Sequence, residues 1–180
     1  MSSEDINLVI QILSGILNPN NSIRKEAEAK LTSMNSNIGG LLFCLGRVLK
    51  ESNENQIKSL AAVLIRKILD VGTSNWKNLT PELKTSFKAD LLVVMVNEKE
   101  KSVKNKICDA VAKIGENIYE NDETWNELLN VMYTILAKPF QEEDLLNIET
   151  SLLLLTTMFG YVGDEIMKGL TTLLTTFKNY

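Results

Sequence analysis

Chemistry at neutral pH needs a titratable base, an activated nucleophile or a cluster of metal ligands, and this chain is short of all three. Its 180 residues include no histidine, which removes the commonest general base and the commonest metal ligand together. The two cysteines, Cys44 and Cys108, stand among apolar neighbours (Phe43 and Leu45; Ile107 and Val111), a setting in which a thiol packs as a small hydrophobe. Glu142, Glu143 and Asp144 could pass for a carboxylate pair, but acids that open a helix answer to its dipole. Lys99, Lys101, Lys104 and Lys106 cluster around a turn, where a solvated face is the ordinary expectation and an acidic partner surface the alternative. Asn20-Asn21-Ser22 and Asn78-Leu79-Thr80 fit the glycosylation acceptor pattern, which matters only in a secreted chain. There is no phosphate-cradling glycine loop, nucleophile elbow or metal-ligand spacing. No enzyme, cofactor or metal is expected.

Composition narrows the remaining classes. With 44% hydrophobic residues the chain can bury a real core as one domain or one segment of a larger one. A net charge of −4 argues against nucleic acid as the main partner, because phosphate neutralisation needs a basic face. Two distant cysteines without a secretory signal fit a reducing compartment. The apolar run from Leu152 to Phe159 is shorter than the roughly 20 residues of a membrane span, so no membrane is expected.

The elements that would position any binding residue are helices. From Gln56 to Leu69, Ile57, Leu60, Ala61, Leu64, Ile65 and Ile68 recur at three- and four-residue steps, the signature of one apolar helix face. Ala61 and Ala62 allow a neighbouring helix to come close. The pattern returns at Val103, Ile107, Val111, Ile114 and Ile118, and more loosely at Ile23, Ala27, Leu31 and Met34. Each of these helices follows another: about 4–17, then 38–50 with Gly39 and Gly40 near its start, then one opened by Thr80 and Pro81 and running to about Asn97. Asn121 and Asp122 are expected to cap a seventh helix ending before Pro139, and an eighth runs from Gln141 to about Phe159. The eighth is apolar nearly all round after Leu152, as for a helix covered on several sides. Gly160 and Gly163 bracket a turn into a last helix, Asp164 to Lys178. Hairpins spaced about 40 residues apart read as HEAT or armadillo repeats rather than tetratricopeptide ones. The expected fold is therefore all-α, a superhelical solenoid of about four hairpins plus one extra helix. Its approximate repeats are 4–36, 37–70, 80–119, 122–162 and a partial 164–180, with the second helix of each lining the concave face.

Three stretches carry a resemblance. NPNNSIRKEAEAKL is similar to the first repeat of importin-beta family transport receptors through Arg24, Ala27, Glu28 and Leu31, with Asn20 where an aspartate is usual. AAVLIRKIL resembles the second repeat and NKICDAVAKI the third, the last pointing to the importin-five branch, also called karyopherin beta-3. The three occur in order over most of the chain, and family members are several times longer, so the chain resembles an N-terminal segment. What the resemblance implies is nuclear transport. The GTP form of Ran would bind the N-terminal repeats, while localisation-signal cargo and nucleoporins would bind through the full-length receptor, which shuttles between cytoplasm and nucleus. Ran and cargo would weaken each other by linkage. Periodicity alone supports only the alternative, a non-transport HEAT scaffold for protein–protein interaction.

Family contacts to Ran come from the second helices of the first repeats. Residues there that avoid the apolar spine are Lys25, Ser59, Val63, Arg66, Lys67, Asn105, Asp109, Lys113 and Glu116. Arg66 and Lys113 are the first choice, since long cations reach acidic loops. Each position could equally be an ordinary solvated one.

Overall fold

The computed structural model describes residues 3–70, 72–121, 123–139 and 141–177. Among them it contains eight α-helices and no strand: α1 (Ser3–Ile16), α2 (Asn21–Met34), α3 (Ile38–Glu51), α4 (Asn55–Ile68), α5 (Pro81–Asn97), α6 (Lys101–Glu120), α7 (Asn126–Ala137) and α8 (Leu145–Phe177). Short 3₁₀ turns at Asn35–Asn37 and Glu142–Asp144 lead into α3 and α8.

Local chemistry explains most boundaries. Pro19 follows α1, and Asn20 caps α2, its Oδ1 accepting from the N–H groups of Ser22 (2.9 Å) and Ile23 (3.4 Å). The asparagine that departs from the family pattern is thus a competent cap. Asn37 caps α3 through Gly40 N–H at 3.0 Å, and Thr80 with Pro81 opens α5. Asn121 does not cap α7. It closes α6, its Nδ2 donating to Asn117 O at 2.6 Å, and α7 begins only after Trp125. Asp122 lies outside the described residues.

The helices pair as α1–α2, α3–α4, α5–α6 and α7–α8, and the pairs stack. First helices α1, α3 and α5 pack in one layer; second helices α4, α6 and α8 pack in the other, with α1 also reaching α4. Gly39 and Gly46 of α3 face α5, where added Cβ atoms would stand 3.0 Å from Leu83 Cδ2 and 3.3 Å from the Phe87 ring. The Gly39-Gly40 pair therefore sits at the start of a helix whose glycine face admits the next one closely. Val103, Ile107, Val111, Ile114 and Ile118 of α6 are all fully buried, as are Ile57, Ala61, Ala62 and Ile65 of α4. Other apolar positions depart from their expected faces. Leu60, Leu64 and Ile68 are only half-buried, and Ile23 is exposed.

α8 differs most from expectation. The break expected at Gly160–Gly163 is present: Val162 is non-helical (φ −129°, ψ 30°), and two helical stretches meet there at a kink within α8. Beyond it, Tyr133 of α7 donates to Ile166 O at 3.1 Å. Gly169 gives that ring its space, since a Cβ there would lie 2.1 Å from Tyr133 Cζ. α8 is not covered on several sides. Leu154, Leu155, Met158, Val162 and Ile166 are buried, whereas Leu145, Leu152, Leu153 and Phe159 face outward. Contrary to the reading of its sequence, one stretch of the described residues, Glu142–Asp164, is long and apolar enough by length and composition to cross a membrane. A core helix passes the same test, and this one packs on both α6 and α7. The side chains of Leu170, Leu173, Leu174 and Phe177 and the end of the expected last helix at Lys178 lie outside the described residues.

Candidate functional site

The outward residues of α2, α4 and α6 form the candidate surface, and their surroundings divide them. On the α4–α6 seam the structure brings Arg66, Asp109, Lys113 and Glu116 together. Arg66 Nη1 stands 3.6 Å from Asp109 Oδ2, with Lys106 Nζ 3.9 Å away on the other side. Lys113 Nζ stands 2.7 Å from Glu116 Oε2 and 3.3 Å from Asp70 Oδ1. The hydrogen bond to Glu116, ahead of Asp70, raises the Lys113 pKa over the opposing effect of burial. From α6 toward α8, the charge of Glu116 pushes the Tyr161 hydroxyl above its usual range. Arg66, Asp109, Lys113, Glu116 and Tyr161 line a groove of about 250 Å³ whose far wall is Leu153, Leu154 and Thr157 of α8. Three cations and three carboxylates meet here, so the patch is neutral, and its exposed pairs contribute little to stability.

The other named positions lie apart. Lys25 and Asn105 are exposed and Ser59 and Val63 half-buried, none of them lining that groove. Lys67 lines a second groove of about 430 Å³ between α2 and α4, with Leu31, Thr32, Asn35, Ile38, Leu41, Leu64, Ile68 and Asn75. Among the described residues Lys67 makes no ion pair.

The basic cluster at the α5–α6 turn is not a uniformly solvated face. Lys104 is 1% exposed, and its Nζ donates to Val96 O (3.3 Å), Glu98 O (3.2 Å) and Asn147 Oδ1, tying α5, α6 and α8 together. Burial lowers its pKa. Beside it, Glu98 accepts from Lys58 Nζ at 2.5 Å and from the N–H groups of Lys99 and Glu100 at 2.9 Å each. Burial would raise the Glu98 carboxyl, but these hydrogen bonds outweigh it and hold the group below its ordinary value. Lys101 pairs with Glu149 at 2.6 Å. The sequence does signal this role: Lys104 precedes Cys108, Val111 and Gly115 at helical steps on the face that is buried. Asn117, 2% exposed, was likewise not singled out; its Nδ2 donates to Leu69 O at 2.9 Å, finishing α4 from the next repeat.

Both thiols are buried, and burial pushes Cys108 up to about 12, which leaves it inert as a nucleophile. Among the described residues no group of three or more acidic or thiol side chains is placed to hold a metal ion.

Known proteins align with this arrangement. A family model described as "IPO5-like, TPR repeats" matches residues 99–180. Importin subunit beta-3 of Saccharomyces cerevisiae is 28% identical over 142 residues, covering 72% of this chain and 13% of its own length. The crystal structure of Kap121p is similar over 98% of the chain, at 24% identity and a TM-score of 0.78, with 16% of Kap121p covered. Kap121p bound to RanGTP is similar over the same share, at 23% identity and a TM-score of 0.68, with 18% covered. The chain thus spans under a fifth of the length of these relatives. The helical hairpins observed here are those of the Kap121p HEAT solenoid. Family model, curated relative and solved structures point the same way: the chain is similar to importin-beta family receptors of the karyopherin beta-3 type and shares their helical-repeat fold.

Proposed function

We propose that this segment serves a nuclear transport receptor and contacts the GTP form of Ran through the outward residues of α2, α4 and α6. The observation behind the reading is the similarity, over nearly the whole chain, to Kap121p bound to RanGTP. Lys25, Ser59, Val63, Arg66, Lys67, Asn105, Asp109, Lys113 and Glu116 are the proposed contact positions, arranged on repeats 4–36, 37–70 and 80–119. Repeats 122–162 and 164–180 would continue the solenoid. Cargo carrying a localisation signal, and nucleoporins, would engage the remainder of a full-length receptor that shuttles between cytoplasm and nucleus. Receptors of this family are transport proteins rather than enzymes, and the mechanism is linkage. Ran and cargo favour different arrangements or overlapping surfaces of one solenoid, so each lowers the other's affinity. The test is a pulldown with Ran loaded with GTP or GDP. Retention of the GTP form alone, weakened by Arg66→Glu with Lys113→Glu at unchanged helicity, is expected. Equal retention or no retention of both forms would favour a non-transport HEAT scaffold.

A further inference from the structure

The first-helix packing that joins α1 to α3 and α3 to α5 is not continued, among the described residues, from α5 to α7. α7 packs on α8, and the fourth hairpin is held on the third through α6 and α8. Lys84 Nζ reaches Glu123 Oε1 at 2.6 Å, but the Glu123 N–H donates to Ile118 O at 3.1 Å, so this pair closes α6 and leaves α7 aside. Hairpins joined in both layers have their angle set by packing on two sides. A pair joined in one layer can rock about that seam.

Two contacts fix α8 on α6. At one, Gly115 leaves space for Met158, whose Cε would lie 2.9 Å from an added Cβ. A thioether is adaptable and gives the crossing angle little direction. At the other, about three turns nearer the amino ends of both helices, Lys104 Nζ donates to Asn147 Oδ1. The same ammonium donates to Val96 O at 3.3 Å and Glu98 O at 3.2 Å, where α5 ends. Its three donors thus meet three neutral acceptors, with the residue 1% exposed. The nearby Glu98 carboxylate is taken by Lys58 and by the N–H groups of Lys99 and Glu100. A buried cation on neutral acceptors costs stability, and fixing register is the best-attested use of such groups.

We infer that the α6–α8 seam is a hinge between the third and fourth hairpins, with Lys104 as the pin that fixes its angle and Asn147 as the catch on the moving side. Without the pin the α7–α8 hairpin rocks as a unit about the Gly115–Met158 contact while both hairpins stay folded. Lys101 and Glu149 cross the same seam at 2.6 Å, but they are too solvated to set it. This hinge goes beyond the Ran reading and does not depend on it.

The test measures residual dipolar couplings of the isotope-labelled chain, with α1–α6 and α7–α8 fitted separately. In the unaltered chain one alignment tensor is expected to fit both blocks. With Lys104→Met or Asn147→Leu, the couplings of α7–α8 should shrink relative to those of α1–α6, while each block still fits its own helix geometry. Asn147→Asp, which keeps the acceptor, and Lys101→Met, which removes only the exposed pair, should each retain a single tensor. If Lys104→Met does not fold, Asn147→Leu decides. Separate tensors in the unaltered chain, a single tensor in a folded pin or catch variant, or loosening by Asn147→Asp or Lys101→Met would each overturn the proposal.

Discussion

The two seams between successive second helices, α2–α4 and α4–α6, are built from similar sequence and behave differently. At α4–α6, Ala61 and Ala62 present no bulk, and the spine of α6 from Val103 to Ile118 closes on α4 until these residues are fully buried. The charged groups above that contact are then near enough to pair with one another. At α2–α4 the only fully buried residue of α2 is Ala27. Ile23 turns outward, and Leu31 stops half-buried at the lip of a groove. The difference teaches that close packing and electrostatic self-satisfaction come together here. Where the helices close, the surface is neutral; where they part, an aliphatic floor and an unpaired lysine remain.

The largest effect expected of this contrast is in core truncations. Ile65→Ala should cost about 2–5 kcal/mol by urea denaturation, because its side chain is wholly inside the closed seam. Leu64→Ala, one residue along but at the edge of the open groove, should cost roughly 1–2 kcal/mol. Equal losses would mean that the open groove is as well packed as the closed seam.

Next comes the polar contact that ties the second and third hairpins. Glu98→Gln should cost about 1.5–3 kcal/mol at pH 7, the range for a hydrogen bond to a charged group. The folded-state pKa of Glu98 lies below its ordinary value of 4.5. Its contribution is therefore complete above that value and lost as pH falls through the lowered one, so the gap between wild type and variant should close below pH 4.5. A gap that persists in acid would show that the amide perturbs packing rather than charge. Overpacking follows: Ala61→Leu should destabilise by about 1–3 kcal/mol, whereas Ala29→Leu on exposed α2 should stay within about 0.5 kcal/mol. The smallest effect belongs to the neutral patch. Asp109→Asn should change stability by less than about 1 kcal/mol, since Arg66 and Asp109 are both nearly half exposed. A larger loss would make the patch a structural element of the seam.

The helices were legible because a 3.6-residue period survives any tertiary context, and the spine of α6 is a plain case. Ends marked by side-chain caps, at Asn20 and Thr80, were legible for the same local reason. What escaped depends on which element lies opposite. Lys104 reads as one of four surface lysines until α5 and α8 surround it, and Asn117 matters only because Leu69 O is left open by the end of α4. Leu64 and Ile23 sit on the apolar stripe by spacing, yet Leu64 lines the open groove between α2 and α4 and Ile23 a shallow cleft against α1, which leaves them part or fully exposed. The candidate surface divides likewise. Its positions on the helices followed from period, but the pairing of Arg66 with Asp109 and the isolation of Lys67 follow from how far apart the helices stand.

The central claim, that a partner reads the outward residues of α2, α4 and α6, is tested most directly by amide hydrogen exchange of the chain with and without GTP-loaded Ran. The account predicts added protection in α2, α4 and α6, with α1, α3 and α5 unchanged and no effect of GDP-loaded Ran. Protection confined to the first-helix layer, or identical for the two nucleotide states, would contradict it.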